Sequence, residues 1–148
     1  VEERAHRTLN FLVIDDDTAM RRIIAESLAE REAIDALAKI GYAIGEVRQA
    51  VDPQDALNQL RDYKPDVLFS DTQMGMYRGY EYCEQYRGIS PNTEIIGMSG
   101  NTGADFASRW QEKGAAYMQK PDNLFDLLSA VPAKLKEVLA TDTSGTRK

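Results

Sequence analysis

One cysteine, Cys83, stands among 148 residues, which excludes an internal disulfide. No apolar run approaches the roughly 20 residues that a membrane-spanning helix needs, so no membrane partner is expected. The first eight residues, VEERAHRT, are charged and lack the apolar stretch of a secretory signal. With the lone cysteine, this predicts a reducing, cytoplasmic home. Basic charge is in deficit, 18 residues against 24 acidic ones for a net charge of −6, and a surface of that sign repels a phosphate backbone. Direct binding of nucleic acid is therefore not expected. Internal repeats and low-complexity segments are lacking too. What remains, 43% hydrophobic and 28% charged, is the composition of a globular protein long enough for one domain.

Short apolar runs alternate with longer amphipathic ones, the pattern of an α/β fold whose parallel sheet carries helices on both faces. Five runs read as strands: 11–14, about 43–51, 67–70, 95–98 and 115–118. The first, third and fourth show little alternation, as strands buried on both faces do, whereas the second alternates and is expected at an edge. Between them, Asp52-Pro53-Gln54-Asp55 opens a helix with an N-cap residue and a proline at the first helical position. Residues 79–87 and 104–113 read as two further helices, closed by Gly88 and Gly114 in left-handed caps. A last helix is predicted from near Asp122, with Pro132 expected to kink or divide it. From Thr18 to Ile40 there is no glycine or proline, so one extended first helix is predicted. It would be about 34 Å long at ~1.5 Å per residue, against about 20 Å for a six-residue strand. Its overhang, with Ile34, Leu37 and Ile40, is expected to bury itself against a second subunit, forming a homodimer, or against the N-terminal segment. The domain is expected over 9–140, between an N-terminal segment at 1–8 and a disordered tail at 141–148.

Ligands of doubly wound sheets gather at the carboxyl ends of the strands, and the polar residues fall there. The stretch FLVIDDDTAM runs from apolar Phe11–Ile14 straight into Asp15, Asp16 and Asp17. Asp71 closes the third strand, Ser99 the fourth and Lys120 the fifth. Adjacent carboxylates repel one another unless a cation lies among them, and an all-oxygen site with room for water suits Mg²⁺ better than Zn²⁺. Asp71, alone on the central strand, is the natural nucleophile. Asp17 reads best as the N-cap of the first helix.

The motifs FLVIDDDTAMRR, VLFSD, IIGMSG and AYMQKP, in this order, resemble those of the receiver domain of bacterial response regulators over about residues 10–139. The resemblance implies a flavodoxin-like five-stranded sheet of order 2-1-3-4-5 and a phosphorelay role. Asp71 would accept a phosphoryl group from a sensor histidine kinase or phosphotransfer protein, and a downstream effector protein would read the result. It further implies that Asp16, Asp71 and the backbone carbonyl of Gln73 hold Mg²⁺, with Asp15 acting through water. Lys120 and Ser99 would contact the phosphoryl oxygens. Ser99 and Tyr117 would form the switch pair that reshapes the face of the fourth helix, fifth strand and fifth helix. Outside the motif, Tyr117 reads simply as a strand aromatic packed on a helix. The side chains of Gln73 and Asn101 would tune hydrolysis. On this reading the domain is no enzyme in the ordinary sense, catalysing only its own phosphorylation and dephosphorylation. His6, in a charged stretch, is not expected to be the phosphodonor.

Two departures stand out. Where the family usually has a proline, four residues after the acceptor, this chain has Gly75, predicting a looser loop from Gln73 to Gly79; and the first helix is longer than usual. Two other readings remain open. A haloacid-dehalogenase-type phosphatase would use Asp15 as nucleophile, leaving Asp71 idle. A receiver-like interaction module would keep the fold without being phosphorylated.

Overall fold

The computed structural model describes residues 6–100 and 104–140. Five parallel strands form one sheet: β1 (Arg7–Ile14), β2 (Tyr42–Ala50), β3 (Val67–Asp71), β4 (Glu94–Ser99) and β5 (Ala116–Gln119), in the order β2-β1-β3-β4-β5. This is the expected order. β1 begins at Arg7, within the stretch read as an N-terminal segment, and pairs there with Tyr42. The helices are α1 (Thr18–Ser27), α2 (Arg31–Ala38), α3 (Pro53–Leu60), α4 (Cys83–Ile89), α5 (Ala104–Glu112) and α6 (Leu127–Ala140).

Alternate residues of the central strands feed two cores. Phe11, Val13, Val67, Phe69, Ile96 and Met98 bury themselves with residues of α1, α2 and α6. Leu12, Ile14, Leu68 and Ile95 do so on the other face, with residues of α3, α4 and α5. Both faces are therefore dry, which explains the continuous apolar runs. β2 lies at an edge as expected, and its register slips opposite Asn10, whose side-chain oxygen accepts the Glu46 N–H at 2.8 Å.

The span read as one long helix is two. Leu28 caps α1, and Glu30, in extended conformation, starts α2. No glycine or proline marks the break, so local sequence did not betray it; burial decides it. Ile24, Leu28, Ala33 and Leu37 are all fully buried, and only a turn after Leu28 brings the second pair back over the sheet instead of past its edge. Leu37 joins the core of the same chain and Ile40 packs against it, while Ile34 is half-buried and lines a groove with His6. The stripe expected to seek a second subunit is mostly satisfied internally.

Smaller corrections follow the same logic. Gly114 takes a left-handed cap at φ 76°, but Gly88 lies inside α4, which ends at Ile89 with Ser90 as its cap. The third predicted helix starts as a 3₁₀ turn, Gly79–Tyr82, before α4. Another 3₁₀ turn, Leu124–Asp126, precedes α6, and α6 runs through the buried Pro132 without dividing. The proposed tail at 141–148 lies outside the described residues.

Candidate functional site

The parallel sheet delivers its strand ends to one edge. Asp15 follows β1, Asp71 ends β3, Ser99 ends β4 and Lys120 follows β5. Although 105 residues separate them in the chain, Lys120 Nζ donates to Asp15 Oδ2 at 3.1 Å; it donates to Asp71 Oδ1 at 2.9 Å. The Lys120 N–H also donates to the Ser99 carbonyl at 2.7 Å, locking the ends of β4 and β5 together.

Asp15 is fully buried, Asp71 half-buried and Asp16 exposed, and one carboxylate oxygen from each lies within 4.8 Å of the others. Burial first, and then the neighbouring Asp71 charge, push the Asp15 carboxyl from 3.8 up to about 6, against the pull of Lys120. Asp71 is likewise raised, chiefly by burial, with Lys120 opposing. Burial works against the charged form of Lys120, but Asp15 and Asp71 outweigh it and leave the ammonium above its usual value. The site holds more negative charge than one ammonium neutralises. The hard carboxylate oxygens gathered here suit Mg²⁺ over softer metals.

Asp17 caps α1, accepting the Met20 N–H at 3.1 Å. Its own N–H donates to Asp15 Oδ1 at 2.9 Å, which helps fix that carboxylate. Ser99 and Tyr117 meet directly, hydroxyl to hydroxyl, so the expected switch pair is in contact. Gln73 has an exposed side chain and pairs with Arg78 in a small antiparallel hairpin, residues 73–74 against 77–78. Gly75 turns this hairpin at φ 62°. A proline, fixed near −65°, cannot adopt that angle; the expected loose loop is instead a tight turn that requires this glycine. Asn101 lies outside the described residues.

Two residues that sequence reasoning passed over belong to the site's frame. Arg21 donates to the Asp15 carbonyl at 2.9 Å and to Gln49 Oε1 at 3.0 Å, tying α1 to β1 and β2. Thr72, buried beside Asp71, donates to the Met98 carbonyl at 2.6 Å. Arg21 lay one helical turn beyond the aspartates, a detectable signal; nothing local marked Thr72.

Among sequence families, the response regulator receiver domain matches residues 11–132. Response regulator MprA of Mycobacterium tuberculosis is 28% identical over 138 residues, an alignment covering 93% of this chain and 55% of that protein. The chain thus spans about half the length of this relative. A solved response regulator from Burkholderia pseudomallei, bearing a phosphorylated aspartic acid, a calcium ion and citrate, is similar at TM-score 0.63 and 27% identity, over 93% of this chain and 75% of that one. The response regulator domain of Thermotoga maritima CheB shares the fold at TM-score 0.65 and 22% identity, over 90% of this chain and 96% of that one.

Proposed function

The chain belongs to the response regulator receiver domain family, and from that premise we propose that Asp71 accepts a phosphoryl group from a phosphohistidine of a sensor kinase or phosphotransfer protein. One observation carries the reading. Lys120 bridges Asp15 and Asp71 across three strand ends beside the exposed carboxylate of Asp16, an arrangement that stability alone does not require.

In the transfer, an Asp71 carboxylate oxygen attacks phosphorus; the P–N bond to the imidazole breaks, and the imidazole leaves with its electron pair. Asp16, Asp71 and the Gln73 carbonyl would hold Mg²⁺, with Asp15 acting through water. When bound, the ion supplies neutralisation of charge on the phosphoryl oxygens. Lys120 lies 2.9 Å from the acceptor carboxylate and follows the new charge onto a phosphoryl oxygen. The Ser99 hydroxyl turns from Tyr117 to donate to another oxygen, and Tyr117 responds by repacking. That carries the event to the surface formed by α5, β5 and α6, where an effector protein reads it. Gln73 and Asn101 would tune hydrolysis of the acyl phosphate.

The test is acid-labile phosphate incorporation from acetyl phosphate with Mg²⁺. Asp71→Asn is expected to abolish it. Loss through Asp15→Asn alone, with Asp71→Asn still labelled, would favour the dehalogenase-type reading, which the buried, doubly engaged position of Asp15 already opposes. No label on the unaltered protein would leave the interaction module.

A further inference from the structure

The residue following Asp71 is tied down through both its backbone and its side chain. The Thr72 carbonyl accepts the Gly79 N–H at 2.7 Å, and its hydroxyl donates to the Met98 carbonyl at 2.6 Å. The same hydroxyl oxygen accepts the indole N–H of Trp110 at 2.8 Å. Trp110 is fully buried on α5, a helix of the surface expected to change.

Its seat is built for it. A Cβ at Gly97, in the middle of β4, would lie 2.1–2.5 Å from the indole ring, and one at Gly79 would lie 3.0 Å from it. Tyr80 closes the outer side edge-on at 6.1 Å. The ring therefore has little room to rotate, and the N–H has one acceptor to satisfy. A buried donor without a partner is costly, so a displacement of Thr72 draws Trp110 with it.

We propose that Trp110 is a positioning residue: through Thr72 its indole N–H holds the backbone between Asp71 and Gln73 in register for phosphoryl transfer, and couples that backbone to α5. The coupling uses hydrogen bonds distinct from the Ser99–Tyr117 contact, although Tyr117 packs on the same core as Trp110. It rests on the reading of Asp71 as acceptor.

Trp110 is the only tryptophan, so a ¹⁵N-labelled sample gives one indole N–H resonance. Adding Mg²⁺ with beryllium fluoride, a phosphoryl mimic, is expected to shift this resonance in the unaltered chain and in Thr72→Ser, which keeps the hydroxyl. Thr72→Val is expected to move the starting position and to lose the response. In acetyl phosphate labelling, Trp110→Phe and Thr72→Val are each expected to slow incorporation about tenfold, since small misplacements of reacting groups carry costs of that order. The double variant is expected to be no slower than either single one, as for two halves of one contact. Asp71→Asn separates the two readings. If it still labels, the acceptor assignment fails; if it does not label, and the indole resonance ignores beryllium fluoride or still responds in Thr72→Val, the coupling fails. Independent, multiplying losses in the double variant would overturn it as well.

Discussion

Asp15 sits in a fully buried position with a carboxyl raised to about 6, and such a group has a defined effect on stability. An acid whose folded pKa exceeds its unfolded value contributes stability that is complete below about pH 4 and is lost as pH rises through about 6. At neutral pH without Mg²⁺, ionised Asp15 is therefore a strain on the fold. Asp15→Asn is expected to raise the melting temperature of the metal-free protein by about 3 °C, corresponding to about 1 kcal/mol, while weakening Mg²⁺ binding. A melting series from pH 4 to 8 checks the sign: the advantage of the variant should grow with pH. Lys120 is the opposite case. Lys120→Met strands two carboxylates, and loss of one partner from a buried ionic cluster costs roughly 3 kcal/mol. Urea unfolding at pH 7 measures it, and acidification toward pH 4 is expected to recover much of the loss.

At the scale of elements, two places read differently in sequence and in space. α1 and α2 come from a stretch without a helix breaker, and only the requirement that Ala33 and Leu37 share a core with Ile24 and Leu28 forces the turn. Leu37→Ala is expected to destabilise the fold by about 3 kcal/mol with an unchanged sedimentation coefficient, because the side chain is buried within its own chain. By contrast, the strand ends were legible, since each reactive side chain terminates an apolar run and a parallel sheet has only one carboxyl edge. Asp15, Asp71, Ser99 and Lys120 were found on that ground alone. Thr72 and Trp110 were not, because their partnership depends on how α5 seats on Gly97, a packing detail with no local periodicity. Gly97→Val, which drives a branched side chain into the indole, is expected to cost about 2 kcal/mol and to shift the emission of Trp110.

For the whole molecule, the sheet acts as a rigid frame that holds a strained cluster of charge at one edge and passes changes there to the helix packed on β4 and β5. Ser99–Tyr117 and Thr72–Trp110 leave the site by different routes. The net charge of −6 and the crowded carboxylates together predict that Mg²⁺ affinity falls as salt is raised, since attraction for the ion is screened. The most direct measurement is mass-spectrometric mapping of the phosphoryl group after treatment with acetyl phosphate and Mg²⁺. The account predicts one group per chain, on the peptide containing Asp71, absent when the metal is chelated. A group found on the peptide containing Asp15, or incorporation that ignores chelation, would contradict it.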